Sequence, residues 1–214
     1  MSAEHSETGE RALTRKGQAT RDRIVAAASQ LVFERGVAST SVDDVQKAAG
    51  VSASQLYHYF DDRQMLIRAV IAHQIRAVLD NQQPWLGRLD SIEALRAWRD
   101  LLVGIQRNMN CQGGCPLGTL AGELSESWPD FRMDLSAGFD LWETAIRQGL
   151  RAMHDRGDLR RDVDPDRLAT ATLAAVEGGL LLTQVHRRTA PLEAALDEMI
   201  DHIAALQPKR RQAR

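Results

Sequence analysis

Apolar residues recur along the chain at intervals of three and four residues, which is the spacing of one face of an α-helix. No segment shows the strict alternation of apolar and polar residues that is typical of a half-buried strand. The pattern predicts an all-α fold of about nine helices. Their approximate bounds are 20–35, 41–49, 53–59, 63–81, 91–109, a short helix opened by Pro116, 128–156, 165–188 and 191–206.

Capping residues stand at several of these predicted helix ends. Gly36 and Gly50 follow the first and second helices, where a left-handed backbone often closes a helix. Ser52 and Gln55 have the spacing of a capping box at the start of the third helix, and Asp62 can cap the fourth. These signals delimit two short consecutive helices, 42–49 and 53–59, joined by a tight turn.

The two short helices have the arrangement of a helix-turn-helix, whose second helix enters the major groove of DNA. The residues predicted on the outer face of that second helix are Ala53, Ser54, Gln55, Tyr57, His58 and Tyr59. Gln55 can pair with adenine, and tyrosine hydroxyls can reach phosphates. Two alternatives stay open: the cap can occupy Gln55, and either tyrosine can simply cover a seam between domains.

Composition places the chain among ordinary globular proteins. It has 214 residues, of which 43% are hydrophobic and 26% charged, enough to bury a core. The polar first residues lack a signal-peptide core, and no run approaches the ~18 apolar residues of a membrane span. We therefore expect a cytoplasmic protein that contacts no membrane. Basic residues cluster at both ends, which predicts a flexible basic arm over 1–19 and a basic tail over 208–214.

Residues 20–70 resemble the DNA-binding domain of the TetR family of transcriptional regulators. The matching features are Ala27-Ala28, Gly36, Thr40-Ser41, Ala49-Gly50-Val51-Ser52 and Leu56-Tyr57 followed by Phe60. The resemblance implies a helix-turn-helix domain over 20–66 and phosphate contacts from Thr40, Ser41 and Tyr57. Arg63 stands where the family usually has a phosphate-binding lysine. The full set of predicted DNA-binding residues is Thr40, Ser41, Ser52, Ala53, Ser54, Gln55, Tyr57, His58, Tyr59 and Arg63.

Several positions depart from the family pattern. Tyr59 replaces the usual histidine, and Asp61 and Asp62 stand where basic or neutral residues are common. Carboxylates close to the DNA backbone weaken the attraction to phosphates. We therefore expect the basic residues from Arg11 to Arg23 to supply much of the salt-dependent binding.

The same resemblance implies that residues 67–207 bind a small molecule and form a homodimer. The implied activity is that of a repressor, released from a double-stranded DNA operator by a small-molecule effector of unknown identity. Both of the last helices carry apolar faces, and we predict that about 166–206 of each subunit form a four-helix seam, with Gly178 and Gly179 permitting close approach. Alternatively, these faces belong to the core of one subunit.

Large apolar side chains on the central helices of this domain are candidates for an effector pocket. The predicted ligand-binding residues are Trp98, Leu102, Cys115, Leu117, Phe139 and Trp142. Residues of this kind at helical spacing also build ordinary cores, which is the alternative for each of them.

The segment "GGCPLGTLAGELSE" resembles a subgroup of the family in which a Gly-Cys turn precedes a pocket-lining helix, including electrophile- and oxidation-responsive repressors. A thiol at a helix N-terminus has a lowered pKa, so Cys115 is a candidate sensor. The alternative is a small packed residue. Cys111 and Cys115 lack the spacing of a zinc site, and we predict no metal and no cofactor.

Two other classes of function are weighed against the regulator. A cysteine-dependent enzyme would need a base for Cys115, and His154 and His186 are distant in sequence with no supporting motif, so we predict no catalytic residue. A helical protein-interaction module with a vestigial DNA domain would show no salt-sensitive binding to duplex DNA.

Overall fold

The computed structural model describes residues 14–208, which consist of helices and their connections without a strand. Within this range there are nine α-helices and one 3-10 turn, Leu86–Arg88, between α4 and α5. The helices are α1 (Arg15–Arg35), α2 (Val42–Ala49), α3 (Ala53–Tyr59), α4 (Arg63–Asp80), α5 (Ile92–Asn108), α6 (Pro116–Leu124), α7 (Pro129–Asp155), α8 (Pro165–His186) and α9 (Ala190–Ala205). The predicted all-α fold is confirmed.

The first helix begins at Arg15 and not near Thr20 as predicted. Thr14 caps it, since its hydroxyl accepts a hydrogen bond from the Gly17 amide at 3.2 Å. Apolar periodicity did not reveal the extra turn because residues 15–19 add nothing to the buried face. Part of the predicted basic arm is therefore helical, while Arg11 and the predicted tail beyond residue 208 lie outside the described residues.

The helix-turn-helix is stabilised by its caps and by a shared core. Ser41 with Asp44 and Ser52 with Gln55 form complete capping boxes, and Gly50 between the helices has a left-handed backbone with φ of 63°. An isolated seven-residue helix would not persist in water. Here α3 is held because Leu56 lies buried in the core formed with α1 and α2.

Two arginines that we assigned to DNA attraction also attach α1 to the helix-turn-helix. The Arg21 guanidinium lies 5.3 Å from the ring centroid of Phe60, at the end of α3. The Arg23 Nε donates a hydrogen bond to the Ala49 carbonyl at 2.9 Å, at the end of α2. These contacts help to hold α1 against the ends of α2 and α3. The expectation that the basic residues from Arg11 to Arg23 supply much of the salt-dependent binding stays a prediction.

Helix α4 joins the two parts of the molecule, packing against α1 and also against α6 and α7. In the C-terminal part, α7 and α9 both pack on α8, and α9 also packs on α5. α7 passes so close to the 3-10 turn that only a glycine fits at position 149, where a Cβ would lie 2.2 Å from the Leu89 carbonyl oxygen.

Helix α8 is long and apolar enough, by length and composition alone, to cross a membrane. In this fold it packs between α7 and α9. Its buried side chains include Leu173, Val176 and Leu180. We therefore identify α8 as a core helix of the C-terminal part.

Candidate nucleic-acid interface and ligand cavity

The outer surface of α3 is free of contact with the rest of the described chain along most of its length. Its exposed members are Ser52, Ala53, Ser54, Gln55, Tyr57 and His58. Tyr57 is the largest of them, with 51% of its surface exposed. These residues present small side chains at the N-terminal end of the helix and a phenol and an imidazole toward its C-terminal end.

The capping box engages Gln55, which decides one of the open alternatives. The Gln55 Oε1 accepts a hydrogen bond from the Ser52 amide at 3.0 Å, and the Ser52 hydroxyl accepts one from the Gln55 amide at 3.2 Å. The side-chain NH₂ group of Gln55 stays available as a donor. Bidentate pairing of Gln55 with adenine would require its Oε1 to accept a second hydrogen bond beside that of the cap.

Tyr59 does not belong to the exposed surface as fully as predicted. It is partly buried and packs against the core, and its ring lies edge-on to the His58 ring at 4.9 Å. Tyr59 is therefore partly occupied by packing, whereas the Tyr57 side chain is exposed.

Thr40 and Ser41, both predicted phosphate contacts, differ in their surroundings. Thr40 is 6% exposed, and its hydroxyl donates to the Gly36 carbonyl at 2.8 Å, so its side chain is not available to a phosphate. Ser41 is exposed, but its hydroxyl donates to the Asp44 carboxylate at 2.6 Å. The hydrogen bonds from Ser41 lower the pKa of Asp44, which keeps a negative charge beside this hydroxyl.

Arg63, the predicted phosphate-binding residue, is used within the protein. One of its terminal nitrogens donates to the Val37 carbonyl at 2.6 Å and to the Thr40 carbonyl at 3.3 Å. On the other side, the Val37 amide donates to the Glu123 carboxylate of α6 at 2.7 Å. The backbone of Val37 is thus held by α4 through its carbonyl and by α6 through its amide.

A second contact joins α1 to the loop between α5 and α6. The ring of Phe33 lies directly against Gly113, because a Cβ at that glycine would be 1.9 Å from the Phe33 Cζ atom. Gly113 also has φ of +81°, a conformation that glycine adopts without strain. Helix α1 therefore contacts the segment before α6 through Phe33. Val37, which follows α1, contacts the end of α6.

The C-terminal part contains a cavity of about 170 Å³ lined by residues of α4, α5, α7 and α8 and by the start of α6. Three of the six predicted ligand-binding residues line it: Leu102, Cys115 and Trp142. The other three, Trp98, Leu117 and Phe139, are outside its wall, and the first two are fully buried in the core. These three residues pack in or against the core.

Two glutamines in the cavity wall were missed at the sequence level. Gln82 and Gln106 are 2% and 3% exposed. Gln82 donates to the Val78 carbonyl and accepts a hydrogen bond from Trp98 Nε1, both at 2.8 Å, so Trp98 fixes the cavity wall from behind. Gln106 lies on the buried face of α5, and an uncharged polar residue in such a face was the signal that could have revealed it.

Cys115 has the opposite ionisation from the one predicted. It caps α6, with its sulfur accepting a hydrogen bond from the Gly118 amide at 3.4 Å. Burial, followed by the nearby Glu177 carboxyl, nevertheless raises the pKa of the Cys115 thiol well above its usual range. A buried thiol with a raised pKa carries little thiolate, so the redox-sensing and nucleophile roles of Cys115 are corrected to that of a packed wall residue.

The apolar faces of the last two helices are used differently. The α9 stripe, including Leu192, Leu196 and Ile200, is buried within the subunit, as the alternative stated. On α8, by contrast, an outward-facing stripe remains exposed, formed by Ala174, Gly178, Leu181, Leu182 and Val185. Of the paired glycines, Gly179 faces α9, where a Cβ would lie 2.9 Å from the Leu192 Cα, while Gly178 lies on the open face.

Two family models match the chain. Residues 24–70 match the model of bacterial regulatory proteins of the tetR family. Residues 91–199 match that of the tetracyclin repressor-like C-terminal domain.

Curated relatives and solved structures extend the similarity over most of the chain. The transcriptional regulator AcuR of Cereibacter sphaeroides is 30% identical over 80% of this chain and 79% of its own length. The transcriptional repressor DhaR of a Mycobacterium species is 26% identical over 82% of this chain and 88% of its own. The crystal structure of a TetR transcriptional regulator from Chloroflexus aurantiacus superposes with a TM-score of 0.79 at 28% identity, covering 91% of this chain and 98% of that one.

Proposed function

Because the chain belongs to the TetR family of helix-turn-helix transcriptional regulators, we propose that it is a homodimeric repressor that leaves its operator when a small molecule fills the cavity beside Trp142. The observation that carries this proposal is α3, a seven-residue helix exposed on one side and fixed by the core on the other. A regulator of this kind acts in the cytoplasm, where its operator is.

The proposed DNA contacts follow from the chemistry of the α3 surface. A helix of seven residues spans about 10 Å and fits a major groove ~12 Å wide. Ala53 and Ser54 allow the N-terminal end of α3 to approach base edges, and the free NH₂ group of Gln55 can donate to a base acceptor. Tyr57, which is half exposed, can donate its hydroxyl to a phosphate oxygen.

Dimerisation through α8 would place two α3 helices on one face of the duplex. The exposed stripe with Leu181 and Val185 is the apolar surface expected at such an interface. Two-fold pairing gives two recognition helices, which must lie about 34 Å apart to enter successive major grooves.

The cavity is linked to the DNA-binding helices by two routes that meet at Val37. Cys115 and Pro116 of the cavity wall begin α6, and Glu123 near the end of α6 binds the Val37 amide. Asn81 and Gln82 of the wall follow α4, and Arg63 at its start binds the Val37 carbonyl. We propose that a ligand which favours a displaced α6 or α4 changes the separation of the two α3 helices and so weakens operator binding.

Within the family, we propose that the chain belongs with the members whose Gly-Cys-Pro-Leu-Gly turn opens a pocket-lining helix. Gly114, Cys115 and Pro116 contribute to the cavity wall, which supports this placement. Thiol chemistry is not part of the proposal, because the pKa of Cys115 is raised by burial.

The test begins with operators selected from random duplexes by the full-length protein, whose affinity is then measured by fluorescence anisotropy at several salt concentrations. Tyr57→Phe is expected to weaken binding about fivefold to tenfold on every selected sequence, because it removes one hydrogen bond to a phosphate. The ranking of sequences should be unchanged. Gln55→Glu keeps a capping-box residue but removes the amide donor, so it should alter the ranking.

The proposal is abandoned if no duplex binds with salt-dependent affinity. If both variants bind the selected operators as wild type does, α3 is not the recognition helix.

A further inference from the structure

The wall of the cavity carries two polar atoms that the protein itself leaves without a partner. They are the Oε1 of Gln106, an acceptor, and the Nε1 of Trp142, a donor. Both side chains are almost completely buried, at 3% and 1% exposure. Buried polar groups are nearly always hydrogen-bonded, so unpartnered groups in a cavity wall indicate where a ligand supplies the partner.

Of the other polar side chains of the wall, Asn81 is exposed, and the buried Gln82 and Cys115 are already engaged. Gln82 uses both ends of its amide, one toward the Val78 carbonyl and the other toward Trp98. The sulfur of Cys115 accepts a hydrogen bond from the Gly118 amide. The requirement for external partners therefore falls on Gln106 and Trp142.

The charge of the cavity wall restricts the class of ligand that can bind. The described residues of its wall include no Asp, Glu, Lys, Arg or His. The Glu177 carboxyl shares a groove with Cys115 of the wall and would repel an anion. An ion in this cavity would lose its hydration without gaining a counter-charge from the wall.

Size sets the third condition. The cavity volume of about 170 Å³ is close to the ~150 Å³ of apolar cavities that admit a single benzene ring. Leu102, Ile105 and Leu180 supply apolar surface around it. The occupant must therefore be about the size of one aromatic ring and apolar over most of its surface.

From these three conditions we infer that the effector is a small uncharged hydroxyl compound, a phenol or a short alcohol, whose oxygen accepts from Trp142 and whose hydrogen is donated to Gln106. A hydroxyl group is the smallest group that satisfies both atoms at once, since it is both donor and acceptor. This inference rests on the proposed function, because it names the ligand class of the cavity that the repressor would use.

The test is calorimetric titration of the full-length protein with probes of similar size: phenol, 1-hexanol, toluene, benzoate and benzylamine. Phenol or hexanol is expected to bind at least about tenfold tighter than toluene, because toluene lacks the hydroxyl. The same difference is expected against benzoate and benzylamine, because both are ionised near neutral pH. Trp142→Phe removes the N–H donor together with part of the ring, which enlarges the cavity for every probe alike, so the preference for phenol over toluene should fall by about tenfold.

Trp85→Phe is the matched control, because it also removes one indole but lies outside the cavity wall and is partly exposed. It should leave every affinity unchanged. The inference is overturned if benzoate or benzylamine binds tightest, if toluene equals phenol, if Trp142→Phe leaves the preference intact, or if no probe binds at millimolar concentration. Anisotropy on the selected operator is measured in parallel. If the operator binds while every probe fails, the ligand class is wrong and the DNA-binding function stands.

Discussion

Replacing Leu181 and Val185 together by arginine is expected to abolish high-affinity operator binding while leaving the subunit folded. Both side chains are exposed in the single chain, at 59% and 66%, so the exchange removes little from the core. In a two-fold interface the α8 stripe of one subunit packs against the α8 stripe of the other. The double variant would therefore place four arginines close together. Loss of the dimer removes the second recognition helix and should lower the affinity for the operator about 100-fold or more.

The measurement combines light scattering for the molecular mass with anisotropy on the selected operator. Circular dichroism and the thermal midpoint establish that the subunit is folded. Met133→Arg on α7 is the control, since Met133 is equally exposed at 59% but lies away from the α8 stripe. A double variant that remains dimeric would place the interface elsewhere, and a monomeric variant with unchanged operator affinity would refute the need for a dimer.

The helices could be predicted from the sequence because their signals are local. The spacing of apolar residues identified α5 and α7, and Ser52 with Gln55 correctly gave the start of α3. A local signal does not specify the partner of a buried face. The α9 stripe therefore read as a dimer surface, although Leu192 and Leu196 are buried within the subunit. Hydrophobic burial is non-directional, and only the three-dimensional packing decides which apolar surface it joins.

The candidate sites were predicted less completely, for the same reason. Trp98 and Trp142 are both buried and both on central helices, yet only Trp142 lines the cavity. For Cys115, the predicted effect of the helix N-terminus was real, since the Gly118 amide hydrogen bond does lower the pKa. Burial and the Glu177 carboxyl oppose it and are larger, and neither could be seen from a position in the sequence.

The attachment of Val37 includes contacts that the family resemblance did not predict. The assignment of Arg63 to phosphate stays a prediction, and one nitrogen of its guanidinium donates to the Val37 and Thr40 carbonyls. Glu123, which completes the attachment, is 86 residues away in sequence from Val37. This hydrogen bond ties α6 to the turn after α1. A contact between residues so far apart in sequence has no signature in periodicity or capping.

Glu123→Ala is expected to uncouple the ligand cavity from the DNA-binding helices. It removes the carboxylate that accepts the Val37 amide, a charge-assisted hydrogen bond worth about 1.5–3 kcal/mol. Coupling energies between regulatory sites are typically about 1–3 kcal/mol, so one such bond can carry most of the effect. The ligand that releases wild-type protein from the selected operator should therefore reduce operator affinity about tenfold less in Glu123→Ala than in wild type. Its own affinity for DNA-free protein should be unchanged, because Glu123 is outside the cavity wall.

Glu123→Gln separates the loss of the hydrogen bond from the loss of the charge. Its amide oxygen can still accept from Val37, and a neutral acceptor retains roughly half the strength of a carboxylate. The response of this variant should lie between wild type and Glu123→Ala. By reciprocity, saturating operator should weaken ligand binding in wild type and hardly at all in Glu123→Ala, which calorimetry with and without DNA measures directly. A full ligand response in Glu123→Ala would mean that α4, with Arg63 on the Val37 carbonyl, transmits the change without α6.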